Sequence, residues 1–539
     1  MNAKLPPQSL VGLSGARAPL KRAVALLAAA ALVSLALAAP LSAAQSRPAA
    51  AAAPNLPLLG DTERQDLSPA MERKLGEEIM RDIRGDRDYL DDAPILEYLN
   101  NFGGALVSAR PEVRGESSFD YFFFAVRDGQ LNAFALPGGY IAVHSALLLA
   151  AQTESELASV LSHEIGHVAQ RHIARMLGQQ RQDMLIPLAA IVLAALASRA
   201  GGDAAVGVFA AGQGLAIQRQ LNFGRDAERE ADRIGFQIMG EAGFDTTGMV
   251  AFFGRMQSAS RSYSDLTPAY LLTHPLTTER IADIQARIRE QPYRQRNDSL
   301  DFQLVRARAR VLQDESTQGL LEATAFFQIQ LEQPGRFQQA AAHYGLALVA
   351  LKRGDTAAAQ SRLDAALGAS VAKAPAAGAF SAAPRPLGPN AILTSMALEI
   401  RLAPKQGAAV AQQALREAEA ARLQFPLSRG IARQYAAALL GAGQPELAAR
   451  YLRDQVQLYR DEPGLHDLLA KTYAAQGKMA LQHMALAESY ALSGASLAAL
   501  DQLGIARKAS DASFYEMAVI DARERELQEY RREQLKDKK

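Results

Sequence analysis

The spacing of apolar and polar residues changes along the chain, and each change predicts an element. The first segment, AVALLAAAALVSLALAA at 23–39, is apolar almost without interruption and follows a basic start of Lys4, Arg17, Lys21 and Arg22. Small residues Ser42 and Ala44 come next, which is the pattern of an export signal (1–44) cleaved before Gln45. The competing reading is an uncleaved membrane anchor, although 17 residues fall short of the ~20 that a comfortable span needs. Residues 45–59, rich in Ala and Pro, read as a flexible lead-in.

From 60 to 110 apolar residues recur at helical spacing around SPAMERKLGEEIMRDIR, with Ser68 as N-cap and Pro69 at the first helical position. FDYFFFAV (119–126) predicts a strand, RDG (127–129) a hairpin turn, and LNAFALPGGYIAVHS (131–145) two further strands around a Pro-Gly-Gly break. Thr153 and Glu156 form a capping box, so a helix starts there and continues through SVLSHEIGHVAQRH (159–172). The stretch 184–217 is largely apolar, in two halves of about 15 residues that are short for spanning. Three readings remain: a membrane hairpin, a helical hairpin packed on the rest of its domain, or a greasy cover that touches a membrane surface. Further helices are expected at about 222–242 and on to about 293.

Beyond 330, alanine-rich helices alternate with short Gly turns over 340–367, 432–456 and 468–494. Gly443 and Gly477 are 34 positions apart, as are Leu439 and Tyr473, which is the tetratricopeptide period. Such repeats stack helix pairs into a curved solenoid. SVAKAPAAGAFSAAPRPLGPN (370–390) interrupts them as a flexible insertion. Residues 511–539 read as a charged helix, a solvated cap on the solenoid.

Composition narrows the function. With 539 residues, 49% apolar and 21% charged, the chain is globular and long enough for several domains. The net charge of +1 would fall to −3 on loss of the four basic residues before Gln45, so no basic excess points to nucleic acid. The absence of cysteine excludes disulfides, a thiol nucleophile and thiolate metal ligands.

The candidate chemistry lies in HEIGH. On a helix each residue advances about 100°, so His163 and His167 share a face one turn apart and can pinch one ion. Glu164 sits beside them, within reach of a water next to that ion. This is the His-Glu-x-x-His helix of zinc hydrolases. Nine residues past His163, His172 points to about 180°, the opposite face. A metzincin would need histidine at 173 and glycine at 170, where this chain has Ile173 and Gln170. His172 therefore reads as a surface or second-layer residue. RDAEREADRIG (225–235) offers Glu228 and Asp232 on one helical face. One carboxylate can ligate the metal while the other fixes the tautomer of a ligating imidazole. The alternative is a solvated charged face paired with Arg225, Arg229 or Arg233. The strand NAFAL (132–136) could take an extended peptide on its edge, with Asn132, Ala133 and Phe134 in contact, or be a plain sheet strand.

HEIGH followed by EREAD resembles the M48 family of zinc metallopeptidases. LNAFALPGGYIAV matches the strand before the zinc helix in its periplasmic members, and THPLTTER (273–280) matches their His-Pro segment. The resemblance implies a mostly α fold: a gluzincin-type metallopeptidase domain with a small β-sheet (60–300), then an α-helical tetratricopeptide-repeat solenoid (301–510). It implies one Zn²⁺ per chain on His163, His167 and Glu228, with Glu164 as general base and Asp232 orienting a ligand. Arg280 would stabilise an oxyanion or form a structural salt bridge. His274 would fill the open metal position and hold the enzyme latent. The expected function is that of a periplasmic zinc endopeptidase. It would aid outer-membrane protein assembly, degrade misfolded or stalled outer-membrane proteins, and meet the β-barrel assembly machinery through its repeats. The alternative is an envelope scaffold whose zinc site is latent or structural. Glu164 argues against a purely structural site, which needs no base.

Overall fold

A computed structural model describes residues 67–115, 119–183, 202–262, 269–292, 294–370 and 388–537. The predicted export signal, the lead-in, residues 184–201 of the apolar stretch and nearly all of the insertion lie outside the described residues.

The chain opens with α1 (Pro69–Arg84) and α2 (Ala93–Ala109). Ser68 caps α1, its hydroxyl accepting from the Met71 N–H at 3.3 Å, and Asp92 caps α2 in the same way. A sheet follows, made among the described residues of β1 (Phe122–Val126), β2 (Ala133–Ala135) and β3 (Tyr140–His144). Its order is β1-β3-β2, with β1 parallel and β2 antiparallel to β3. The expected hairpin at 127–129 is therefore wrong. Because β3 lies between them, β1 and β2 are not neighbours. The tight turn is the Pro-Gly-Gly break, where Gly138 and Gly139 have φ of 81° and 96°, a region that favours glycine.

The two sheet edges differ. Asn100 closes β1: its side chain accepts from the Phe123 N–H (3.1 Å) and donates to the Phe123 carbonyl (2.7 Å). The outer edge of β2 pairs with no strand among the described residues, and β2 lies against the next long helix.

After α3 (Ser145–Ala150) comes α4 (Glu154–Ala169). Thr153 accepts from the Glu156 N–H at 3.2 Å, and the Glu156 carboxylate accepts from Gln152 N–H at 2.8 Å, one residue before the position a capping box uses. Helix α4 does not run through residue 172. It stops at Ala169, Arg171 takes φ 51°, and α5 (His172–Asp183) starts in a new direction. Helix α6 (Gly202–Glu241) is one 40-residue helix, beginning about twenty positions earlier than the polar-apolar pattern suggests. No helix among the described residues is long and apolar enough to cross a membrane. Helices α7 (Thr247–Ser262), α8 (Ala269–Thr273) and α9 (Thr278–Arg289) complete this half.

The rest is helical. Helices α10 (Leu300–Gln313), α11 (Thr317–Leu331), α12 (Arg336–Lys352) and α13 (Thr356–Ser370) precede the insertion. After it come α14 (Ala391–Arg401), α15 (Ala408–Gln424), α16 (Arg429–Gly441), α17 (Pro445–Leu458), α18 (Pro463–Ala475), α19 (Met479–Leu492), α20 (Ser496–Lys508) and α21 (Phe514–Asp537). Sequential helices pack in pairs. Several turns share one device: Gly354, Gly443, Gly477 and Gly494 have positive φ, and the next N–H reaches back to the carbonyl of Ala350, Leu439, Tyr473 or Tyr490 at 2.9 Å. The 34-residue spacing of Leu439 and Tyr473 is thus a repeated helix stop.

One hydrophobic core joins the two halves, from Leu99, Phe123 and Leu161 to Phe302, Tyr344 and Ile400. Buried Arg308 bonds Asp92, Glu399 and the Tyr344 hydroxyl across the same seam. At the far end α21 turns back, placing Tyr530 4.9 Å beneath the Arg81 guanidinium of α1. It buries Ile520 and Leu527, so it is amphipathic packing and not a fully solvated cap.

Candidate metal centre

The centre forms where α4 meets α6. The two helices touch backbone to backbone at two glycines. A Cβ on Gly166 would lie 2.9 Å from the Ala231 carbonyl oxygen, and one on Gly235 would lie 2.9 Å from the His163 nitrogen. Only that close approach lets Glu228 and Asp232 of α6 reach the imidazoles of α4.

Four side chains converge, with ligand atoms of His163, His167, Glu228 and His274 all within 4.8 Å of one another. His163 Nε2 is 3.0 Å from His167 Nε2 and 3.3 Å from His274 Nδ1. Glu228 Oε1 is 2.9 Å from His274 Nδ1 and 3.4 Å from His167 Nε2. A tetrahedral Zn²⁺ with bonds of about 2.0–2.1 Å to nitrogen places its ligand atoms roughly 3.3 Å apart. These edges match that figure, and three imidazoles with one carboxylate is a zinc donor set. Buried nitrogens aimed at one another need a proton or a metal ion between them. The residues fit the metal.

Charge acts the same way. Burial lowers the basicity of both imidazoles. For His163 the Asp232 and Glu228 carboxylates overcome this and raise its pKa to about 10. For His167 burial wins, and its pKa falls to about 3. Burial also works against ionised Glu228, but His274, Arg280 and the paired imidazoles hold its carboxyl well below the usual range. The Glu228 and Asp232 carboxylates thus favour a positive charge among these imidazoles.

The supporting residues are equally buried. His163 Nδ1 lies 2.9 Å from Asp232 Oδ1, leaving Nε2 for the metal. Arg280 holds Asp232 through two bonds and lies 2.9 Å from Glu228 Oε2. Its guanidinium faces these carboxylates. Glu164 is buried beside the cluster; its Oε1 makes no hydrogen bond among the described residues and lies 3.4 Å from His274 Nε2. The strand candidates sit nearby on β2. Asn132 and Ala133 are buried, Phe134 half-buried, and Asn132 Oδ1 has no hydrogen bond among the described residues.

Of the two readings of His172, the second-layer one agrees with the structure, although the helical projection put it on the wrong face. With α4 ended at Ala169, the ring folds back, and His172 Nδ1 is 2.9 Å from His167 Nδ1. It is buried, which excludes a surface role. Gly166, Gly235, Glu230 and Tyr270 escaped notice altogether. The Tyr270 ring lies 4.6 Å from that of His274, the Tyr270 backbone N–H donates to the Leu131 carbonyl at 3.1 Å, and its hydroxyl is buried without a hydrogen bond among the described residues. Burial and the nearby Glu164 push that phenol well above its usual value. No local pattern announces such residues, because their roles come from a helix crossing and a loop return.

A two-histidine helix with an adjacent buried glutamate and a carboxylate from a second helix defines the class: this is a metalloendopeptidase. The chain belongs to peptidase family M48, whose model matches residues 109–288. It is 32% identical to the beta-barrel assembly-enhancing protease of Escherichia coli over 479 residues, 87% of this chain and 91% of that protein. A putative beta-barrel assembly-enhancing protease of Vibrio cholerae is 40% identical over 256 residues, 47% of this chain and 51% of that one, so this match spans about half of the relative. A mitochondrial metalloendopeptidase of Schizosaccharomyces pombe is 29% identical over 223 residues, 41% of this chain and 62% of its own.

Proposed function

We propose that this chain is a periplasmic zinc endopeptidase that serves outer-membrane protein assembly and removes misfolded or stalled outer-membrane proteins. The observation that carries this reading is Glu164, a buried carboxylate held beside the His163–His167–Glu228 cluster whose Oε1 has no hydrogen-bond partner among the described residues. A closed structural site has no use for such a group.

His163, His167 and Glu228 would hold one Zn²⁺. When bound, the ion supplies Lewis acidity to the scissile carbonyl and to a water molecule. Glu164 takes a proton from that water and returns it to the leaving amine. Asp232 fixes the His163 tautomer, and Arg280 acts by holding Asp232 and Glu228. The unpaired outer edge of β2 takes substrate as an added strand along Asn132, Ala133 and Phe134, main chain to main chain. His274 lies in the same cluster with its Nε2 3.4 Å from Glu164 Oε1, where it would exclude water and block the base together. That describes a latent enzyme, released when the His-Pro segment withdraws.

The helical half is read as a tetratricopeptide-repeat solenoid over 301–510, which recognises clients and the β-barrel assembly machinery. A cleft of about 1070 Å³ between the halves supports this, with Tyr121 and Phe122 on the sheet side and Leu427 and Leu458 on the helical side. Residues 184–217 would touch the membrane surface.

Glu164→Gln tests the enzyme reading. The variant should bind zinc like wild type and cleave casein at least about 10²-fold more slowly, the lower range for loss of a general base. Retained cleavage would refute the assignment. A second reading, an envelope scaffold with a permanently closed zinc site, is favoured by the His274 position alone; it requires that a chelator leave every activity unchanged.

A further inference from the structure

The two histidines of the zinc helix are backed in different ways. Behind His163 stands a carboxylate, Asp232. Behind His167 stands another imidazole: His172 Nδ1 lies 2.9 Å from His167 Nδ1, with the ring centroids 4.9 Å apart. The chain of contacts continues outward. His172 Nε2 lies 3.2 Å from Glu230 Oε2, which also accepts from Arg175 at 2.9 Å.

The proton positions follow from the geometry. Two neutral imidazole nitrogens 2.9 Å apart need one proton between them. His167 Nε2 faces the metal cluster, so its remaining proton sits on Nδ1. His172 Nδ1 accepts that proton's hydrogen bond, and His172 Nε2–H then donates to Glu230. We propose that His172 and Glu230 form a positioning relay that fixes the tautomer and ring angle of His167 as a metal ligand. The inference rests on the zinc-site reading above.

The chain is built to make this contact. Arg171, in the left-handed region at φ 51°, breaks α4 from α5 and points the next side chain back toward the site. Its own guanidinium is anchored, donating to Glu72 at 3.0 Å and to the Leu67 carbonyl at 2.5 Å. Glu230 lies about 200° around α6 from Glu228, on the side that faces α5. Helix α6 therefore supplies three carboxylates to three tasks: Glu228 to the cluster, Asp232 to His163 and Glu230 to His172. Metal-ligating imidazoles depend on such outer partners, and losing one typically weakens metal binding about 10–100-fold.

The test measures zinc affinity of the full chain by competition with a chelating dye. His172→Phe keeps the ring volume and removes both nitrogens; it should bind zinc about 10–100-fold more weakly. His172→Asn offers an amide oxygen near the Nδ1 position and should stay within a few-fold of wild type. Melting of the zinc-free proteins checks that each variant folds. If His172→Phe binds zinc like wild type, or if His172→Asn is as weak as His172→Phe, the relay is refuted. Should His172→Phe fail to fold, Glu230→Ala decides: a several-fold loss of affinity supports the relay, and none overturns it. A wild-type chain that binds no zinc overturns the metallopeptidase reading itself, a different result from a variant that merely matches wild type.

Discussion

Arg280 holds Asp232 with paired bonds, Nε to Oδ2 at 2.6 Å and Nη2 to Oδ1 at 2.7 Å, and both side chains are only 3% exposed. The pair stands directly behind His163. Removing one member of a buried pair leaves an uncompensated charge, at a cost of about 3–5 kcal/mol. Arg280→Leu should destabilise the zinc-free protein by that amount in a denaturant titration. Adding Asp232→Leu should recover part of the loss, since the double variant no longer buries that orphan carboxylate. An Arg280→Leu effect within about 0.5 kcal/mol, the surface range, would show that the pair carries no such burden.

His274 reaches the cluster from a loop far along the chain, its Nδ1 2.9 Å from Glu228 Oε1. On the proposed latency, it would compete there with water. His274→Ala should raise casein cleavage several-fold, while Glu164→Gln combined with it stays inactive. On the same reading zinc should exchange faster in the single variant, because one of the four clustered side chains has gone. Equal cleavage by His274→Ala and wild type across several substrates would remove the latency reading and leave zinc binding intact.

Gly235 shows how much the centre depends on the helix crossing. An added Cβ would lie 2.9 Å from the His163 nitrogen and 3.0 Å from the Ser162 carbonyl carbon. These are backbone atoms inside α4, so no rotamer change relieves the clash. Gly235→Ala must push α6 away from α4 by some tenths of an ångström, moving Glu228 and Asp232 together. We expect zinc affinity to fall at least tenfold with little change in helix content by circular dichroism. Gly224→Ala on the same helix, with nothing within 4 Å, is the control and should bind normally.

These residues divide into legible and illegible ones for a physical reason. His163, Glu164 and His167 were legible because helix geometry alone places them together. Glu228 and Asp232 were legible as a pair on one face, yet their meeting with His163 depends on Gly166 and Gly235, which look like ordinary helical glycines. The 34-residue spacing of Leu439 and Tyr473 was legible because it records the same glycine-terminated helix stop twice. The face of His172 was misread, though not its second-layer option, because a projection of about 100° per residue assumes an unbroken helix, and Arg171 breaks it without a proline or glycine to signal the event. The hairpin at 127–129 was misread because Arg-Asp-Gly is a good hairpin turn locally, while the parallel pairing of β1 with β3 is a tertiary choice.

The seam between the halves carries a charge of its own. Glu97 accepts from the Gly430 N–H at 2.6 Å and from the Ser428 hydroxyl at 3.0 Å, so it caps the start of α16 from across the interface. Two effects oppose each other here. The positive end of α16 favours the carboxylate by about 0.3–1 kcal/mol, whereas burial disfavours it. Burial wins, and the Glu97 carboxyl is pushed above its ordinary value, with the two hydrogen bonds and Arg429 resisting. For an acid with a raised folded pKa the sign is definite. The fold binds the protonated form better, so this group's stabilisation is complete below about pH 4.5, the unfolded value, and is lost as pH rises through the folded one. Glu97→Gln keeps an oxygen acceptor for Gly430 and cannot ionise. Its melting temperature relative to wild type should therefore rise between pH 4 and pH 8, measured on zinc-free protein so that metal binding does not enter. A relative melting temperature that falls over that range would mean that the helix end outweighs burial and that the carboxylate itself ties the two halves together.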